Sequence, residues 1–163
     1  MNQFFALIAM AFGLVLPGAA GAQTAKDLVG TWMNVSNVSV QPNGSRTDAF
    51  GPHGTGIAIF ESNGHYAIIN VNPDVPKFAA NNRLQGTPAE NKAAVDGVIA
   101  HYGTYSFDAA NKVINLKVEA SSYPNWDGTE QKRPIISFAG DDLKWSVVAS
   151  AGGTGEVGWK RVK

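Results

Sequence analysis

The stretch GIAIFESNGHYAIINV, residues 56–71, decides the fold. Two short runs rich in Ile and aromatic residues flank Asn63-Gly64, the strongest short-range hairpin signal. Outward from that hairpin, similar runs recur at residues 30–41, 102–107, 113–120, 131–138, 143–149 and 156–162. Turn-forming residues separate them, among them Pro42-Asn43-Gly44, Gly140-Asp141 and Gly152-Gly153. Ile114, Leu116 and Val118 alternate with Asn115, Lys117 and Glu119, and Leu143, Trp145 and Val147 with Lys144 and Ser146. Such alternation buries one face of a strand and wets the other.

These runs make eight strands, mostly joined by hairpin-length loops. An open sheet of antiparallel strands exposes unpaired edges, and closing it removes them. The expected fold is therefore all-β: an eight-stranded antiparallel up-and-down barrel with one short helix between the third and fourth strands. A β-sandwich accommodates the same alternation. A barrel of this size is just wide enough to be filled by side chains or to hold one small ligand.

The helix comes from the long connection at residues 72–100. Its first half, PDVPKFAANNRLQG, reads as loop. Thr87-Pro88-Ala89-Glu90 then supplies an N-cap, a proline at the first helical position and a glutamate at N3. The helix should run from Pro88 to about Asp96, with Ala93, Ala94, Val95 and Val98 as its apolar stripe.

Composition narrows the function classes. The 163 residues include 13 Lys and Arg, 13 Asp and Glu, and no Cys. Zero net charge gives no reason to expect nucleic acid or an anionic membrane surface as a partner. Without cysteine there is no thiol nucleophile, redox pair or thiolate metal site. Residues 4–16 form an apolar run, followed by Pro17-Gly18 and the small-residue sequence Ala20-Gly21-Ala22. That pattern reads as a signal peptide over residues 1–22, cleaved before Gln23, although its first charged side chain is Lys26. The run is short of the ~20 apolar residues that span a bilayer. The expectation is one domain over residues 23–163, periplasmic or secreted, with no membrane anchor after cleavage.

Several motifs resemble the bacterial and fungal lipocalin-like domain family. They are LVGTW (28–32), Gly51-Pro52, the Asn63-Gly64 hairpin, YGTYSFD (102–108), PNWDGTEQKR (124–133), GDDL (140–143) and WKRV (159–162), in family order. The resemblance implies a calycin-type barrel, with Gly30-Thr31-Trp32 as the G-x-W element and Arg161 lying across Trp32. It implies no particular chemistry, because one fold hosts many functions. Asn34 stands where relatives usually have an apolar residue, which implies a more polar floor to the cup.

The candidate site residues follow from chemistry and position. Trp32 and Arg161 read as a structural cation–π pair plugging one end. Tyr66, Tyr102, Trp126 and Trp145 offer aromatic wall to a small apolar or amphipathic ligand. Gln131, Arg133 and Ile135 share one strand face, so Arg133 is a fixed charge near the mouth if that face is inward. Pro134 removes one ladder donor and makes a bulge plausible, which leaves the parity open. An enzymatic alternative, an isomerase, cyclase or hydrolase, would use Asp127 or Glu130 as base beside Arg133. His101 reads more readily as structural than as a ligand contact. His53, His65 and His101 show no metal-ligand spacing, Ser106, Ser121 and Ser122 lie in no nucleophile elbow, and no metal or cofactor is implied. The leading expectation is an exported small-molecule binding protein.

Overall fold

The computed structural model describes residues 23–163, so the expected signal peptide lies outside the described residues. A one-turn helix, α1 (Ala25–Leu28), leads into β1 (Gly30–Val40) and then β2 (Arg46–Asp48), β3 (Thr55–Phe60) and β4 (His65–Val71). The long connection carries α2 (Pro88–Asp96). Then come β5 (Val98–Asp108), β6 (Val113–Ser121), a 3₁₀ turn at Pro124–Trp126, β7 (Glu130–Ala139), β8 (Asp142–Val148) and β9 (Thr154–Arg161).

All strand pairs are antiparallel, and β9 returns to pair with β1, so the sheet closes. The barrel consists of β1 and β3 to β9, the eight expected strands; closure excludes the sandwich. The additional strand β2 pairs with β1 at Val38, Ser39 and Val40, on the edge that β3 occupies at residues 30–33. It extends the wall beyond β3 and shifts the count. The helix expected between the third and fourth strands lies between β4 and β5.

The founding hairpin forms between β3 and β4 with Phe60 opposite Tyr66. Its loop is one residue longer than a two-residue turn: Glu61 N–H bonds His65 O at 2.9 Å and Gly64 N–H bonds Glu61 O at 3.0 Å. Gly64 takes a φ of 87°, the left-handed geometry that glycine adopts without a Cβ clash.

Alternation fixes which side chains meet inside. Ala58 and Phe60 from β3, Tyr66 and Ile68 from β4, Ile114 and Leu116 from β6, and Trp145 and Trp159 from β8 and β9 form one buried cluster. Trp32 plugs one end, fully buried, with its indole N–H donating to Leu28 O at 2.8 Å. The Arg161 guanidinium lies 4.1 Å from the Trp32 ring centroid. It donates to Val29 O at 2.6 Å and to Asp27 O, and faces Asp141 at 3.5 Å. Gly30 takes a φ of 131°, a conformation that side-chain-bearing residues rarely adopt, which explains the glycine of the G-x-W element.

Two expectations need correction. The α2 boundaries and its capping box stand, with Glu90 accepting from Thr87 N–H at 2.7 Å. Its apolar stripe does not: α2 buries no residue, Val95 is 70% exposed and Val98 belongs to β5. Glu90 also accepts from Ala79 N–H at 2.8 Å, and these bonds hold its carboxyl below the ordinary range. The helix is thus tied to its own loop more than to the barrel. Asn34 does not polarise a cup floor either. Its amide bonds Ser36 O at 3.0 Å and Gly158 O at 3.2 Å, at the bulge between β1 and β9.

Candidate functional site

Away from the Trp32 plug, the barrel encloses a cavity of about 500 Å³. Its walls come from the open-end halves of the strands: Val38 on β1, Ile68 and Asn70 on β4, His101 on β5, Arg133 on β7 and Trp145 on β8. Val157 and Trp159 on β9 join them. The mouth is framed by Asp48 on β2, Val95 and Asp96 at the end of α2, and Ser150 and Ala151 in the β8–β9 turn, all exposed.

A run of aromatic contacts builds one side of this space. Tyr123 and Trp126 meet edge to face at 5.9 Å, and Trp126 meets His101 at 5.4 Å. His101 meets Tyr66 at 5.4 Å, Tyr66 lies 6.3 Å from Phe60, and Phe60 stands edge-on to Trp145 at 6.2 Å. Trp145 lies 5.1 Å from Trp159. Aromatic edges and faces in such arrangements form a rigid apolar lining.

Three polar groups interrupt that lining. The buried His101 exchanges a hydrogen bond with Tyr66 Oη at 2.9 Å through Nδ1. Burial, reinforced by the charge of Arg133, pushes the His101 pKa down to about 3, so its imidazole is neutral at pH 7. Burial also raises the Tyr66 phenol well above its usual range, against the pull of Arg133. Asn70 sits opposite Gly56, and a Cβ there would overlap its amide. Its Oδ1 is buried with no hydrogen-bond partner. Arg133 is 4% exposed, and burial lowers its pKa only to about 10, so it stays charged at neutral pH.

Arg133 points inward because β7 keeps strict alternation from Gln131 to Ile135. The bulge falls later, between Ile135 and Ser137. Pairing between β7 and β8 stops at Ile135–Trp145, and the two strands part beyond it. Pro134 explains the parting. Ile135 N–H donates to Lys112 O toward β6 at 2.8 Å, so the nitrogen of residue 134 faces β8, where proline has no hydrogen to give. A second hollow of about 450 Å³ occupies this seam, and Arg133 and Trp126 line both spaces.

The structure thus brings Trp126, Arg133 and Trp145 of the expected wall to one cavity. Tyr66 is buried, does not line the cavity, and meets it only through its hydrogen bond to His101. Tyr102 points the other way, 53% exposed, because its neighbour His101 takes the inward position. Tyr105 and Phe107 pack against the core. Asp127 and Glu130 are exposed and neither lines the main cavity, though Glu130 borders the second hollow together with Arg133. Sequence reasoning missed Asn70 and Trp159 and set His101 aside. The signal for Asn70 was available, since it continues the inward row Tyr66, Ile68 on a strand already read as half-buried.

The described residues thus form a closed antiparallel barrel, plugged by a tryptophan at one end and hollow toward the other. The chain belongs to the lipocalin-like domain family, whose sequence model matches residues 29–160. It is 34% identical over 83 residues to the 4'-hydroxy-3'-methoxypropiophenone carrier protein ppsC of Aspergillus oryzae, covering 47% of this chain and 73% of that one. Among solved structures, a redesigned β-barrel aligns with a TM-score of 0.45 at 12% identity, over 89% of this chain and 100% of that one. A de novo designed fluorescence-activating β-barrel aligns at 0.43 and 12% identity, over 85% and 96% of the two chains.

Proposed function

We propose that this protein is an exported carrier of a small, largely apolar, ring-bearing molecule. The observation that carries the reading is the cavity of about 500 Å³, lined by aromatic side chains with a few convergent polar groups. That combination is the ordinary make-up of a small-molecule site. The similarity to a carrier of an aryl ketone supports the same class of ligand, an aromatic ring with oxygen substituents. The carboxylates of the enzymatic alternative, Asp127 and Glu130, are exposed and outside the cavity, which favours binding over acid–base chemistry. Export rests on the apolar run at residues 4–16 and the A-x-A sequence ending at Ala22.

One experiment tests both parts. Native mass spectrometry of the protein purified from its own host should give a polypeptide mass beginning at Gln23 and a retained small-molecule adduct released on denaturation. A full-length mass would overturn export. A bare polypeptide that also fails to bind 4'-hydroxy-3'-methoxypropiophenone and its aryl-ketone analogues would overturn the carrier reading.

A further inference from the structure

We propose that the molecule carried in this barrel bears an anionic group, a carboxylate or an acidic phenolate, which docks on Arg133 with its ring against the aromatic wall. The inference rests on the carrier reading and specifies which molecules such a carrier takes.

Arg133 is a buried charge that lacks a counter-charge. Arg133 donates from Nη1 to Lys132 O at 3.1 Å and from Nη2 to Gln131 Oε1 at 2.5 Å, both neutral acceptors. A guanidinium has five N–H donors, so these bonds leave capacity to spare. None of the ion pairs among the described residues includes Arg133. An isolated buried cation costs several kcal/mol unless something pairs with it. The nearby acidic residues do not serve. Asp48 and Asp96 stand exposed at the mouth, and Asp96 already pairs with Lys92. Glu130 lies on the other face of β7. The guanidinium instead faces the cavity, where a bound anion would meet it bidentately.

A second observation points the same way. Trp159, 1% exposed, lines the same cavity, and its buried indole nitrogen has no hydrogen-bond partner. An indole N–H can only donate, so it too calls for an acceptor. Asn70 Oδ1, buried and unpartnered, offers an amide to a hydroxyl on the ligand. A buried cation without a counter-charge and an indole donor without an acceptor, inside an aromatic enclosure, describe the complement of an aromatic acid.

The test is a titration of the full chain with cinnamate, methyl cinnamate and cinnamamide, three probes of one skeleton and different charge, followed by calorimetry. Cinnamate should bind at least about tenfold more tightly than either neutral probe, the worth of one good charge-assisted contact. Arg133→Met should erase that preference, with the larger loss on cinnamate, and Arg133→Lys should keep part of it. Equal affinity for acid and ester in the wild-type chain would overturn the assignment without any variant needing to fold. Ester and amide binding with no preference for the acid leaves the carrier reading standing and removes the anion. Failure of all three probes and of the aryl ketone would remove both.

Discussion

Replacing Trp32 with alanine tests the closed end of the barrel and its independence from the site. Trp32 is fully buried, contacts Phe138 edge to face at 5.9 Å, and donates to Leu28 O. Truncating a buried tryptophan typically costs about 3–5 kcal/mol through lost burial and the void left behind. The Arg161 guanidinium at 4.1 Å also loses its π-face, worth roughly 0.5–2 kcal/mol. These contributions overlap, and a net loss of about 4–5 kcal/mol is the reasonable sum. For a domain of roughly 140 residues, an unfolding entropy near 2.1 cal/mol/K per residue converts each kcal/mol into about 3–4 °C. Trp32→Ala should therefore lower the melting temperature by about 14 °C or more. Calorimetry and urea unfolding read this directly. Below the new melting point, ligand affinity should hold, because Trp32 does not line the cavity. A variant melting within about 3 °C of wild type would refute the plug, since burial of this ring alone predicts more.

The other expectations concern the open half. The folded-state pKa of His101 is depressed from 6.5 to about 3, so the unfolded chain binds more protons between those values and stability falls as pH drops through that window. Between pH 6.5 and 5 the loss should be about 1–2 kcal/mol by chemical denaturation, and His101→Gln should flatten it; identical slopes would refute the assignment. Arg133→Met should leave the ligand-free melting temperature unchanged or raise it by a few degrees, since it exchanges an unpaired buried charge for apolar volume. A drop of more than about 2 kcal/mol would instead make Arg133 a structural residue. By the alternation that turns Ile135 N–H toward β6, the Lys132 amide faces the open seam with β8. It should exchange hydrogen much faster than the Arg133 amide, and comparable protection of the two would show that the seam is closed.

What the sequence made legible was whatever its periodicity encodes. Alternation in residues 56–71, 113–118 and 143–147 places buried and wet faces as observed, and closure follows from the count of strands. β2 escaped notice because Arg46, Thr47 and Asp48 are all exposed and carry no apolar pattern. The choice between His101 and Tyr102 turns on a single step of parity. The run was read from Tyr102, but the strand starts at Val98, and pairing of His101 with Ile68 sets the inward register. Arg133 hung on the same question. Its face was readable from Gln131 and Ile135, but whether the bulge fell before or after it was not. Backbone hydrogen bonds to β6 and β8 place it after, between Ile135 and Ser137.

The two inward-facing arginines show how the barrel divides its labour. Arg161 has an indole beneath it, two carbonyls and the Asp141 carboxylate, so its charge is matched within the fold. Arg133 is more deeply buried and has two neutral acceptors only. A fold that needed only to bury arginine safely has a worked solution at one end and declines to repeat it at the other. The same half of the barrel leaves Trp159 Nε1 and Asn70 Oδ1 unpartnered and opens the β7–β8 seam at Pro134. Each of these features lowers stability, and they cluster around one cavity rather than scattering through the structure. Local destabilisation concentrated in this way is the usual cost of a site whose remaining contacts are supplied by a ligand.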